Sequence, residues 1–343
     1  MKYRNLGNSN LKVSELCLGT MMFGDQTDKA EATAIVADAH TNGINYIDTA
    51  DVYTKGASET MVGEILSGQR HDWVLATKLG NAMSDRVNVG HYSRSWMMQE
   101  IDASLARLKT DYVDILYMHR DYNGMNLEEP LRALQAMLRA GKIRYWGVSN
   151  FRGWRIAEMV NIAKQLGMPG PVVCQPYYNL LNRMPEVEIL PACQHYGISV
   201  TSYSPIARGV LTGKYIPGQQ LDPNTRGGRA DKRMTETELR QESFVIAQTL
   251  MKYCHEKSSL KADSKVSLAQ FATAWVLANP AISSVIAGPR TLQQWQDYLP
   301  ALNYVVTADD EKLIDSLVRP GHPSTPGYTD PAYPLNGREI KYL

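Results

Sequence analysis

Within residues 48–119, four titratable side chains stand at or just beyond the ends of short apolar runs. Asp48 ends Tyr46–Asp48 and Tyr53 follows it; Lys78 comes directly after Trp73–Thr77, and His119 directly after Val113–Met118. Their chemistry fits proton transfer: an ammonium favours the phenolate left after donation, a carboxylate keeps the ammonium charged and oriented, and an imidazole orients or polarises an oxygen. Taken singly, each has an ordinary explanation: Asp48 as a turn cap, Tyr53 as a packing residue, Lys78 as a solvated strand end, His119 as a satisfied buried imidazole. Short polar matches are common, and only the four together at matched positions make a site.

For these groups to meet, the runs that carry them must be neighbouring strands. Eight short apolar runs alternate with stretches of helical period, the pattern of a parallel sheet built from βα units. They are Glu15–Gly19, Tyr46–Asp48, Trp73–Thr77, Val113–Met118, Arg144–Val148, Val172–Gln175, Ser199–Tyr203 and Ser284–Ala287. Helices are predicted over Lys29–Thr41, Glu59–Leu66, Trp96–Leu108, Leu127–Arg139, Trp154–Leu166, Pro185–Tyr196, one long stretch Thr235–Ala278, Leu292–Leu299 and Ala308–Leu317. Gly43, Gly68, Gly141, Gly167 and Gly197 each precede a strand and suit the left-handed conformation that ends a helix.

Eight units point to an α/β fold of the closed (β/α)8 type, one domain over residues 1–343, with the strand C-termini converging on a shared mouth. Tyr3–Val13, turning at Gly7-Asn8-Ser9, reads as a hairpin that closes the bottom of the barrel. Gly80–Ser95, Thr212–Met234 and the tail Pro320–Leu343 are too long for simple joints, and long loops in compact domains tend to carry function.

The sequence resembles the aldo-keto reductases, in order, over residues 1–319. Asn45-Tyr46-Ile47-Asp48-Thr49-Ala50-Asp51-Val52-Tyr53 resembles that family's aspartate and tyrosine segment, Ala76-Thr77-Lys78 its lysine segment and Met118-His119-Arg120 its histidine segment. The likeness continues through Gly147-Val148-Ser149-Asn150-Phe151, Cys174-Gln175-Pro176, Tyr203-Ser204-Pro205-Ile206-Ala207-Arg208-Gly209, Leu211-Thr212-Gly213-Lys214-Tyr215 and Gly288-Pro289-Arg290. These forms look most like the branch holding bacterial reductases and potassium-channel β subunits. The resemblance implies NADPH-dependent reduction of an aldehyde or ketone, with Tyr53 as proton donor. An unperturbed tyrosine, at about 10, is a weak acid for that task near neutrality, which gives Lys78 its purpose.

No GxGxxG occurs, so a nicotinamide must be held by the barrel itself. The resemblance implies that Ser149, Asn150 and Gln175 bind its carboxamide while Tyr203 stacks on the ring. It also puts Gly19, Thr20, Met21 and Asp48 against the cofactor, and Ser204, Pro205, Ile206, Arg208 and Gly209 along the pyrophosphate. Lys214 and Arg226 would add positive charge there, and Gly288, Arg290, Gln294 and Asp297 would take the phosphorylated adenosine. Two departures stand out: Tyr298 replaces the usual asparagine after Asp297, and Trp146 replaces an aliphatic before Gly147. The substrate walls are expected from Met22, Phe23, Met83, Tyr92 and Tyr328.

Bulk properties exclude several classes. With 36 Lys+Arg against 35 Asp+Glu, no global field recruits nucleic acid or an anionic membrane. The start has no apolar run suited to a signal peptide and no segment approaches about 20 uninterrupted apolar residues, so the chain reads as cytoplasmic. Cys17, Cys174, Cys193 and Cys254 lie too far apart for metal-ligand spacing and read as reduced structural thiols. A small-molecule carbonyl compound is the expected partner. The competing class is a regulatory protein that binds NADPH with little turnover; a barrel lyase or hydrolase would need a metal or phosphate site that the sequence does not offer.

Overall fold

The computed structural model describes residues 1–259 and 266–333. Two short strands, β1 (Tyr3–Asn5) and β2 (Lys12–Ser14), pair antiparallel. Among the described residues eight further strands close in chain order into a parallel barrel: β3 (Leu16–Gly19), β4 (Tyr46–Asp48), β5 (Val74–Leu79), β6 (Val113–Met118), β7 (Ile143–Ser149), β8 (Val173–Gln175), β9 (Ser199–Tyr203) and β10 (Ile282–Ala287), which returns to β3. The expected (β/α)8 architecture is therefore the one observed.

The pleat decides what the barrel contains, since successive side chains point to opposite faces. Tyr46, Val74, Ala76, Ile115, Tyr117, Val173 and Ile286 turn inward with Cys17 and pack together. Leu75, Leu79, Leu116 and Met118, on the opposite face of the same strands, join the larger core shared with the helices. Asp48 thus continues the inward face of Tyr46, Lys78 that of Val74 and Ala76, and His119 that of Ile115 and Tyr117. The top rung of an apolar ladder is polar. At the bottom, Leu6 is fully buried, Gly7 N donates to Ser199 Oγ (2.6 Å) and Asn8 N to Gly197 O (2.9 Å), so the hairpin does seal that end.

Around the barrel run α1 (Lys29–Thr41), α2 (Ala57–Ile65), α3 (Arg94–Leu108), α4 (Glu128–Arg139), α5 (Gly153–Gln165), α6 (Ile189–Tyr196), α7 (Lys232–Thr237), α8 (Gln241–Ser259), α9 (Leu268–Ala278), α10 (Leu292–Gln296) and α11 (Ala308–Leu317). The five glycines expected to end helices all have positive φ. Starts are capped by Asp28, Ser93, Ser267 and Thr307, the last two as reciprocal capping boxes; such caps contribute about 1 kcal/mol each.

Three helix readings are corrected. The single stretch over Thr235–Ala278 is divided among α7, α8 and α9, with residues 260–265 outside the described residues. Between α7 and α8, Glu238 turns fully inward to take Arg208 and Tyr177, which breaks the helical path. Leu292–Leu299 ends early at Gln296, a 3-10 turn following over Leu299–Asn303 with Pro300 near its start. Pro185–Tyr196 opens as a 3-10 turn, Met184–Glu186, before α6.

Candidate active site

At the mouth of the barrel, Lys78 is fully buried. Its ammonium donates to Asp48 Oδ1, to Thr49 O (2.7 Å) and to Tyr53 Oη (3.2 Å). Asp48 Oδ2 takes a further bond from Gln175 Nε2 (2.9 Å). His119 lies edge-on to Tyr53, ring centroids 5.9 Å apart at 80°. Three groups from three adjacent strands therefore gather at the Tyr53 phenol, because Asp48, Lys78 and His119 each follow the inward face of their strand, while Tyr53 opens the 3-10 turn Tyr53–Gly56 after β4.

Burial and charge act in opposition here. Burial pushes the Tyr53 phenol up from its ordinary value, while Lys78 pulls it back down. The resting acid is thus fully protonated, and the ammonium works against the cost of forming phenolate. Burial also raises the Asp48 carboxyl, opposed by Lys78 and Gln175. For Lys78 burial pulls downward, but Asp48 and Tyr53 together outweigh it and leave it raised and charged. Burial holds His119 well below its usual value, with Lys78 and Arg120 adding to the effect, so the imidazole is neutral.

Next to this group is a cluster of amides. Asn150 Nδ2 donates to His119 O (3.0 Å) and Ser149 Oγ (2.9 Å), and its Oδ1 accepts from Tyr203 (2.8 Å). Ser149 Oγ donates to Gln175 O (2.8 Å). Asn150, Ser204, Ala207 and Arg208 all have positive φ. Left-handed non-glycine residues cost about 1–3 kcal/mol each and gather where a ligand site requires them.

A cavity of about 430 Å³ extends from Tyr53 and His119 past these residues to the end of β10. It is within the roughly 300–1,000 Å³ typical of small-molecule sites. Every residue expected against the cofactor lines it: Gly19, Thr20, Met21, Asp48, Ser149, Asn150, Gln175, Tyr203, Ser204, Pro205, Ile206, Arg208, Gly209, Lys214, Arg226, Gly288, Arg290, Gln294 and Asp297. Tyr298 lines it too. A Cβ on Gly288 would meet nothing within 4 Å, which leaves open space against the backbone there. Gly19 has a packing reason instead, since a Cβ would lie 2.6 Å from Ile286 Cγ2.

The cations of this wall divide into two kinds. Arg208 is already paired with Glu238 (3.0 Å) and lies over the Tyr177 ring, and Arg226 is paired with Asp231 (3.2 Å). Lys214, Arg229 and Arg290 make no ion pair among the described residues. The Lys214 ammonium is depressed first by burial and then by Arg290 and Arg229. Asp222 opposes that shift only partly, and cations without ion pairs crowded in one cavity suit an anionic ligand. The donor set, the open space at Gly288 and the amide cluster fit a nicotinamide dinucleotide, whose phosphates are anionic.

Several lining residues were missed from sequence: Gln26, Thr212, Arg229, Asp231, Arg233 and Tyr333. The basic run Arg226–Arg233 in the long loop carried a usable signal for Arg229 and Arg233; nothing marked Gln26 or Tyr333. The expected substrate walls are largely corrected. Met22 lines the cavity, but Phe23, Met83, Tyr92 and Tyr328 do not. Phe23 and Tyr92 are buried in the core, and the Tyr328 ring is packed under the Arg240 guanidinium (3.8 Å). The tail contributes Tyr333 instead, held by Arg120 to Ala332 O (2.9 Å), Arg152 to Tyr333 O (2.7 Å) and a two-pronged Arg233–Asp330 pair (2.9 and 2.6 Å). Residues 334–343 of that tail lie outside the described residues.

Among the described residues no group of three or more His, Cys, Asp or Glu is arranged to hold a metal, and no helix is long and apolar enough to cross a membrane. The four cysteines are buried and free.

An eight-stranded parallel barrel with a buried Asp48–Lys78–Tyr53 cluster and a cation-lined mouth is the arrangement of an oxidoreductase of the barrel type. The chain belongs to the aldo/keto reductase family, which it matches over residues 15–319. It is 35% identical over 338 residues to a probable voltage-gated potassium channel subunit beta of Oryza sativa subsp. japonica, covering 96% of this chain and 100% of that one. It is 33% identical over 344 residues to the uncharacterized oxidoreductase YrpG of Bacillus subtilis (strain 168), covering 97% and 99%. A second uncharacterized oxidoreductase of that organism, YqkF, is 33% identical over 319 residues, covering 92% and 96%. Carbonyl reduction with a nicotinamide cofactor is the general activity of the family.

Proposed function

We propose that the protein reduces an aldehyde or ketone to an alcohol using NADPH, with Tyr53 as general acid. The observation that carries this reading is the Tyr53 hydroxyl, 3.2 Å from a buried ammonium and facing a cavity whose far wall holds unpaired Lys214, Arg229 and Arg290. When bound, the cofactor supplies the hydride. Ser149, Asn150, Gln175 and Tyr203 would orient the nicotinamide, and Lys214, Arg226 and Arg290 would hold its phosphates. Tyr53 Oη gives its proton to the carbonyl oxygen as negative charge develops there. Lys78 stabilises the phenolate that remains, Asp48 keeps Lys78 charged and in place, and the neutral His119 orients the carbonyl oxygen. The same reading makes this a single-domain cytoplasmic enzyme acting on a small molecule, without a nucleic-acid or membrane partner.

The test is loss of NADPH absorbance across a panel of aldehydes, ketones and sugar-derived carbonyls, with wild type and Tyr53→Phe compared. Tyr53→Phe keeps the ring, so NADPH binding measured by fluorescence should persist while turnover falls about 10²–10⁴-fold. A Tyr53→Phe enzyme reducing a reactive aldehyde at near wild-type rate refutes the mechanism. A second reading is an NADPH-binding regulatory protein with little turnover, which the name of the rice relative, a probable channel subunit, fits in part. Tight NADPH binding with no turnover on any compound of the panel would support that one.

A further inference from the structure

The loop over residues 80–93 lies beside the catalytic group without lining the cavity, and one residue in it reaches the His119 turn directly. Tyr92 is 3% exposed. Its hydroxyl donates to Arg120 O (2.7 Å) and accepts from Arg120 N (3.0 Å). Arg120 lies beyond the end of β6, where the strand ladder no longer supplies partners, and one hydroxyl satisfies both of its backbone groups. Burial keeps that phenol protonated and able to donate.

The residue before it is His119. His119 N donates to Leu79 O (3.0 Å), and its carbonyl accepts from Asn150 (3.0 Å). Its imidazole Nδ1 is buried with no hydrogen-bond partner among the described residues. Since that nitrogen has no bond to hold it, the direction of the ring is set by the backbone beneath it and by edge-on packing against Tyr53. Gly80 makes the arrangement possible: its φ of 127° suits glycine, and a Cβ there would lie 2.3 Å from Tyr92 Oη.

Resting on the reading of Tyr53 and His119 given above, we infer that Tyr92 is a positioning residue whose hydroxyl clamps the Arg120 backbone and so aims the His119 imidazole at the substrate oxygen. Its aromatic ring alone fills the core; the hydroxyl serves the catalytic turn.

Tyr92→Phe removes only that oxygen. Circular dichroism and NADPH affinity should be unchanged, and kcat for a reactive aldehyde should fall at least about fivefold, because small displacements of a catalytic group are costly. The readout that separates aiming from general loosening is a double-mutant cycle. In a His119→Ala background Tyr92→Phe should change kcat less than about twofold. Tyr122→Phe is the matching control: its hydroxyl donates to Gly80 O (2.8 Å) in the same loop and not to the Arg120 backbone, its ring against Tyr92 and Arg120 is kept, and kcat should stay at wild type. Wild-type kcat in Tyr92→Phe alongside a damaging His119→Ala overturns the role of Tyr92 alone. A Tyr92→Phe loss that persists in full beside a silent His119→Ala overturns both that role and the one given to His119. Equal losses in Tyr92→Phe and Tyr122→Phe show a loop-wide effect and also overturn the inference.

Discussion

Replacing Lys78 by methionine tests the two duties of the ammonium at once. The side chain is fully buried and serves Asp48, Thr49 O and the Tyr53 hydroxyl. Taking one partner from a buried ion pair typically costs about 3–5 kcal/mol. Asp48 would keep only Gln175 at 2.9 Å, in surroundings that already push its carboxyl up. It would therefore bind a proton in the folded state at a pH where the unfolded chain is ionised. A carboxyl whose folded value lies above its unfolded one adds stability below about pH 4 and loses it as pH rises. The stability deficit of Lys78→Met should accordingly shrink in acid and grow toward neutrality. The rate effect has another origin. A unit charge 3.2 Å from the phenolate oxygen is worth about 5 kcal/mol at an effective dielectric near 20. Losing most of that in the transition state places the expected fall in kcat in the 10²–10⁴ range, with NADPH affinity retained. Urea unfolding gives the stability, and single-turnover oxidation of bound NADPH gives the rate. Adding Asp48→Asn should restore part of the stability without restoring the rate. Additive stability losses in the double variant, or a Lys78→Met enzyme with near wild-type turnover, would refute the coupled role.

Two other outcomes are expected. Arg290→Ala should weaken NADPH about 10- to 150-fold, the value of one charge-assisted hydrogen bond of about 1.5–3 kcal/mol, and leave NADH nearly unaffected; equal losses measured by fluorescence titration would give Arg290 a structural role instead. His119 should stay neutral through the working range, so kcat should show no titration near pH 6.5 assignable to it. Its depressed folded value means that the unfolded chain binds the extra proton first, so stability should fall as pH drops below about 6.5. The stability of His119→Asn, followed by unfolding curves from about pH 7.5 to 5.5, should depend less on pH than that of wild type; an unchanged slope counts against a buried neutral imidazole.

Much of this was legible in the chain itself. The pleat has a period of two and the barrel has a defined mouth, so a polar residue just past an apolar strand is aimed at the site whatever the rest of the fold does. Asp48, Lys78 and His119 were readable for that reason, whereas Ser149, Gln175 and Tyr203 were singled out through the family resemblance. Strand order followed from chain order, and helix ends from the glycines that precede the strands. Contacts between distant segments were not readable.

Sequence spacing cannot say that Glu238 folds back onto Arg208 and leaves it paired while Lys214, Arg229 and Arg290 make no ion pair among the described residues; that depends on which carboxylates the packed loops bring within reach. The same limit turned Tyr92 from an expected cavity wall into a buried partner of Arg120, 28 residues away, and put Tyr333 in the cavity in place of Tyr328. Loop and tail residues have no fixed period to constrain them. Their side chains take whichever polar or aromatic partners the barrel leaves exposed at its mouth, so the tertiary structure alone decided the loop and tail wall of the cavity, whereas local sequence had already determined the polar rung above the strands.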